Sequence, residues 1–120
     1  MRQDVGFTSW LSSLHPYDRL IICSVVCGEI LFGLGRLSRG KRRTELAAKA
    51  DKLFASVPCE PIPPAAGDHY AQLKLTQQRL GLSLDENDLW IAVAALALGA
   101  TLVSRDGDFQ RVGMLTVVAP

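Results

Sequence analysis

The stretch "NDLWIAVAALALGATLVSRDGDF", Asn87–Phe109, decides how this chain folds. From Leu89 to Leu98 ten residues run without a polar side chain. An element that is apolar nearly all round has to be central and buried, and the composition predicts a helix over 88–98 ended by Gly99. "ATLVS" then reads as a strand and "RDGD" as a tight turn. Carboxylates stand at both ends of this apolar block, Asp88 at its opening and Asp106 and Asp108 at its close.

Working outward, the remaining elements follow by periodicity. "LTVVA" near the C-terminus predicts a last strand. Upstream, "AAGDHYAQLKLTQQRLG" predicts a helix stopped by Gly81 as the residue just past its end. "TELAAKADKLFASV" predicts another, with Leu46, Ala50, Leu53 and Phe54 inward. Between them "PCEPIPP" is a proline-rich connection with room for a very short strand around Ile62. "RLIICSVV" is a β-branched run that predicts a buried parallel strand, and "CGEILFGLGRL" follows it with helical spacing at Ile30, Leu34 and Leu37. The spacing of Phe7, Trp10, Leu11 and Leu14 predicts one face of a short opening helix, expected to end at His15-Pro16. Strands alternating with helices imply an α/β fold with a mostly parallel sheet and helices on both faces.

Composition narrows the classes. A chain of 120 residues with 48% hydrophobic content suits one domain, able to bury about two-thirds of its unfolded surface. Thirteen basic residues against twelve acidic ones leave a charge of +1, so bulk charge predicts no nucleic-acid partner and any such case rests on local patches. One patch exists: "RLSRGKRR" packs Arg36, Arg39, Lys41, Arg42 and Arg43 together, read as a basic turn between helices. The ten-residue apolar run is too short to span a membrane, which takes about 20 residues. The N-terminus carries no signal-peptide pattern, and a cytoplasmic location is expected. Cys23, Cys27 and Cys59 form no CxxC pair and read as small buried hydrophobes under reducing conditions. His15 and His69 have no metal-spaced partner and read as structural or exposed. Trp10, Tyr17, Phe32, Tyr70 and Trp90 read as core or interface aromatics.

In a parallel α/β sheet, sites form beyond the carboxyl ends of the strands. Glu29 and Asp106 each follow a predicted strand, and Asp88 begins a helix. Two carboxylates about 4 Å apart repel by roughly 4 kcal/mol at an effective dielectric near 20. A converging set sheds that cost by protonating or by holding a hard cation such as Mg²⁺ or Mn²⁺. Each acid also has a plainer reading. Asp88 suits a helix N-terminus, with Asp85-x-x-Asp88 and Ser83-x-x-Glu86 resembling capping boxes. Glu29 suits a solvated helix position, and Asp106-Gly107-Asp108 suits an ordinary turn.

The chain resembles the PIN domain, specifically the VapC-like toxins of type II toxin–antitoxin modules. "SVVCGEILFGLGRL" resembles the family's strand followed by a glutamate, two apolar residues and a glycine. Asn87–Val112 resembles its third-acid helix, Gly-Ala-x-Leu-Val strand and Asp-x-Asp-Phe turn, and "LTVVAP" its closing strand. The resemblance implies a three-layer α/β/α sandwich and a ribonuclease that uses Mg²⁺ or Mn²⁺ held by clustered acids. It further implies a homodimer silenced by a cognate antitoxin. By position, Glu29, Asp88 and Asp106 are the expected catalytic and metal-binding acids, with Asp108 a further metal candidate. Arg42, Arg43 and Arg105 are the expected contacts to RNA. The family opens with an apolar strand ending in an aspartate. Here "MRQDVGF" offers only Asp4, which is not assigned that role, so the expectation is a single PIN-like domain over 1–120 lacking its N-terminal strand. A non-catalytic PIN-like module that dimerises or binds an antitoxin is the alternative.

Overall fold

A computed structural model describes residues 20–82 and 84–119. The opening helix expected around Trp10, and the question of an N-terminal strand, lie outside those residues. The chain divides into two compact units, one ending at Pro61 and the other beginning at Ile62.

In the first unit, β1 (Ile22–Cys23) runs directly into α1 (Ser24–Arg36); α2 (Lys41–Ser56) follows, and β2 (Cys59–Glu60) closes the unit. β1 and β2 pair in parallel, Ile22 opposite Cys59 and Cys23 opposite Glu60. The Ile22 amide donates to the Pro58 carbonyl at 2.9 Å, and the Ser24 hydroxyl to the Glu60 carbonyl at 3.0 Å. β1 is shorter than the β-branched run predicts, because Ser24 already begins α1 and Val25 and Val26 turn with it. The short strand expected around Ile62 sits instead at Cys59–Glu60. Proline lacks the N–H a ladder needs, so Pro58 and Pro61 bracket the one run of two consecutive residues in that segment able to pair on both groups, whereas Ile62 stands alone between prolines. "GKRR" is not a turn: Lys41, Arg42 and Arg43 form the first turn of α2, with Gly40 at its N-cap. Ala50 is buried on α2, Leu46 and Phe54 are half-buried, and Leu53 faces solvent. Nor are the cysteines three buried thiols. Cys27 and Cys59 form a disulfide pair, Cys59 is exposed, and Cys23 stays free and half-buried. The parallel pairing of β1 with β2 brings the start of α1 beside β2, and with it the two sulfurs, 32 residues apart in sequence.

In the second unit, α3 (Ala66–Arg79) and α4 (Glu86–Leu98) precede β3 (Leu102–Val103), a 3₁₀ turn (Gly107–Arg111) and β4 (Val117–Val118). α4 carries the burial expected of it, with Leu89, Ile91, Ala92, Val93, Ala94 and Ala95 all buried. Leu84, Leu89 and Val112 form a core cluster, against which Tyr70, Leu73 and Leu115 pack. Gly99 has φ 62°, the left-handed conformation that glycine adopts without strain, and the Ala100 amide returns to the Ala95 carbonyl at 2.9 Å. α4 starts at Glu86 rather than Asp88, so Asp88 is the third residue of its first turn. β3 and β4 pair in parallel, Leu102 opposite Val117 and Val103 opposite Val118. Each described strand is two residues long, and the two pairs are separate two-stranded sheets.

Candidate functional site

Each predicted acid is carried by a definite local structure. Glu29 is the sixth residue of α1 and is exposed. It belongs to the first unit; Asp88, Asp106 and Asp108 belong to the second. Asp88 is half-buried at the opening of α4, where the unpaired amides of the first turn favour negative charge. Asp85 is the N-cap, and its side chain makes no capping bond, so the capping-box reading through Asp85 is not realised. Asp88 and Arg105 are each engaged by a neighbour.

Asp106 is held by ordinary turn chemistry, with hydrogen bonds to its backbone and its side chain. Ser104 ends the β3 ladder through its amide, which donates to the Val118 carbonyl at 3.0 Å. Its hydroxyl accepts the Asp106 amide at 3.1 Å, and the Asp106 carboxylate accepts the Asp108 amide at 2.9 Å. Asp106 thus caps the 3₁₀ turn, whose Phe109 is buried. Asp108 lies 4.0 Å from the Arg111 guanidinium across an exposed pair. The turn brings Asp106 and Asp108 together. Among the described residues, no group of three or more His, Cys, Asp or Glu is gathered within reach of one metal ion. The donors themselves are hard carboxylate oxygens, the chemistry Mg²⁺ and Mn²⁺ select.

The predicted basic contacts differ among themselves. Arg42 is exposed in the first turn of α2. Arg43 is half-buried and spends part of its guanidinium on the Leu37 carbonyl at 3.4 Å, closing the loop before the helix. Arg36 lies over the Phe32 ring, 5.5 Å from its centroid. Arg39, Gly40, Arg43, Thr44 and Asp51 line a shallow, open depression on this unit.

A polar cluster between α3 and the first turns of α4 was not legible as such in the sequence. The rings of Tyr70 on α3 and Trp90 on α4 stack at 4.2 Å between centroids and 9° between planes. The Tyr70 hydroxyl donates to the Glu86 carboxylate. Lys74 donates to the Tyr70 oxygen at 2.9 Å and to Glu86 at 3.3 Å. The Tyr70 bond, followed by those from Lys74, holds the Glu86 carboxyl below its usual range. The Tyr70 bond, followed by Glu86, raises the Lys74 ammonium. The available signal was the one-turn spacing of Tyr70 from Lys74 and of Glu86 from Trp90, which puts each pair on one helix face.

Comparison with known proteins identifies the family and the fold. The PIN domain pattern matches residues 3–115. Ribonuclease VapC1 of Haemophilus influenzae strain R2866 is 31% identical over 106 residues, covering 85% of this chain and 75% of the relative. Ribonuclease VapC2 of Rickettsia felis is 27% identical over 103 residues with the same coverage. Among solved structures, VapBC-1 of nontypeable Haemophilus influenzae superposes with a TM-score of 0.83 at 26% identity, covering 93% of this chain and 82% of that one. The fold also matches VapBC2 of Rickettsia felis bound to a promoter DNA fragment, with a TM-score of 0.86 at 24% identity over 98% of this chain and 86% of that one. With a match that spans nearly all of its length, the chain belongs to the PIN domain family.

Proposed function

We propose that this chain is a VapC-type ribonuclease, the toxin of a toxin–antitoxin pair, that hydrolyses RNA phosphodiester bonds with Mg²⁺ or Mn²⁺. The observation that carries the reading is the set of carboxylates inside the PIN-matched stretch. Glu29 stands in the helix after β1, Asp88 in the first turn of α4, and Asp106 in the capped turn after β3. These three would hold the ion, with Asp108 as a further donor. Held there, a divalent ion would supply acidification of water and neutralisation of charge on the phosphate.

The chain's own groups supply the rest. The Ser104 hydroxyl holds the Asp106 backbone amide and the Asp108 amide holds one oxygen of its carboxylate, so the side chain has a preferred orientation that would suit it to ligate an ion. Leu89, Ile91 and Ala92, buried just after Asp88, anchor the helix that carries it. Arg42, Arg43 and Arg105 meet phosphates, which makes RNA affinity fall with salt. Leu31 and Phe32, 58% and 67% exposed on α1, offer an apolar face to an antitoxin or a second copy of the chain. A cytoplasmic location accords with such partners, and no described helix is long and apolar enough to cross a membrane.

A second reading is a non-catalytic PIN-like domain that dimerises or binds an antitoxin. It is favoured by the absence, among the described residues, of three gathered ligands. RNA cleavage with Mn²⁺ or with EDTA, in the parent protein and Asp88→Asn, separates the two. The nuclease reading expects Mn²⁺-dependent cleavage reduced by more than about 100-fold in Asp88→Asn, beyond the loss typical of removing an outer partner. Cleavage that persists in EDTA and in Asp88→Asn excludes it, and an inert parent protein leaves the non-catalytic reading.

A further inference from the structure

Resting on the ribonuclease reading, we propose that Tyr70 and Lys74 are positioning residues for the metal site. They clamp Glu86 and Trp90 and so fix the opening turn of α4 that carries Asp88. The argument is geometric. Glu86 is the first residue of α4 and Trp90 lies one turn later on the same face. Tyr70 holds both, bonding Glu86 through its hydroxyl and stacking on Trp90 through its ring. Lys74, one turn along α3, ties the Tyr70 oxygen to Glu86 and stands 5.2 Å from the centre of the Tyr70 ring. Tyr70, Lys74 and Glu86 are thus each tied to the other two, and Trp90 joins them through the Tyr70 ring.

Helix openings fray, because their first amides lack intrahelical partners. Here that tendency is unopposed by a side-chain cap, since the Asp85 side chain makes no capping bond. The clamp from α3 takes the place of that cap. Asp88 is two residues from Glu86 and two from Trp90, roughly 200° around the axis from each at 3.6 residues per turn. Gripping the face that holds positions 86 and 90 sets the azimuth of the opposite face, and with it the direction of the Asp88 side chain. A loosened first turn spreads that direction over several orientations and weakens ion binding before any chemistry occurs.

The test uses Mn²⁺ alone as probe, with free ion followed by electron paramagnetic resonance, on the full chain and on Tyr70→Phe, Lys74→Met and Asp88→Asn. Tyr70→Phe keeps the ring stack and removes only the hydroxyl. Its Mn²⁺ dissociation constant is expected to rise about tenfold, the low end for loss of an outer partner, with RNA cleavage at saturating Mn²⁺ changed far less. Its melting temperature is expected to stay close to the parent's, which separates positioning from general destabilisation. Lys74→Met shifts the constant in the same direction. Parent-like Mn²⁺ binding in Tyr70→Phe, with binding weakened in Asp88→Asn, overturns the positioning role and leaves the nuclease reading standing. Parent-like binding in Asp88→Asn, or no binding by the parent, overturns both.

Discussion

Leu89→Ala should be among the most damaging single substitutions in the second unit. Leu89 is 4% exposed and packs with Leu84 and Val112. The change removes three side-chain carbons, and at about 0.8 kcal/mol each the lost transfer energy is roughly 2.4 kcal/mol. The surrounding helix cannot collapse fully onto the gap, so a cavity contribution raises the expected loss to about 3 kcal/mol. A domain of this size loses about 4 °C of melting temperature per kcal/mol, which predicts a drop of about 12 °C. Leu80→Ala is the control: Leu80 is 65% exposed, and its truncation should cost no more than about 0.5 kcal/mol. Urea and thermal unfolding followed by circular dichroism measure both. If Leu89→Ala destabilised no more than Leu80→Ala, the placement of α4 as the buried spine of its unit would be refuted.

Two further expectations follow from local structure. Gly99→Ala should cost about 1 kcal/mol, because φ 62° strains any residue with a Cβ although that Cβ would meet nothing within 4 Å. Gly67→Ala, equally unobstructed and within α3, should instead stabilise by about 0.5 kcal/mol, and a shared sign in chemical denaturation would contradict the assigned backbone. The Lys74–Glu86 contact sets a pH dependence. Glu86 has a folded value lowered from 4.5, so its contribution is present above that value and is lost as pH falls through the lower folded one. Lys74 is raised from 10.5, so its contribution is complete below that value and is lost as pH rises through the higher folded one. The melting-temperature difference between parent and Lys74→Met should therefore be flat through neutrality and shrink at both extremes; a difference that grows toward acid would contradict the contact.

Much of this protein is legible from its residues in order. The α/β class, the parallel pairing and α4 as a buried helix follow from patterns confined to short windows. Leu89–Leu98 has no polar face to turn outward, and Gly81 and Gly99 mark helix ends, at φ 68° and 62°, because glycine adopts the left-handed region without strain. The PIN resemblance of Asn87–Phe109 is likewise carried by adjacent residues, and the family match extends it along nearly the whole chain. The roles of Glu29, Asp88 and Asp106 are read from their positions in that pattern and stand as part of the proposed function.

Tertiary structure decided what depends on a partner distant in sequence. Strand length is one case: Val25 and Val26 favour a strand by type, yet a strand extends only as far as a neighbour offers groups to pair. That neighbour spans two residues between prolines. The Cys27–Cys59 pair is another, since its two halves meet only once β1 and β2 align. The cluster of Tyr70, Lys74, Glu86 and Trp90 is the third. Each helix displays its own one-turn pair in the sequence, but which face of α3 meets which face of α4 is chosen by the packing of Leu73, Leu84 and Leu89 beneath them. Local pattern fixes what a residue can form along its own backbone, whereas contacts between elements are selected by burial summed over the whole unit, a quantity no short window contains.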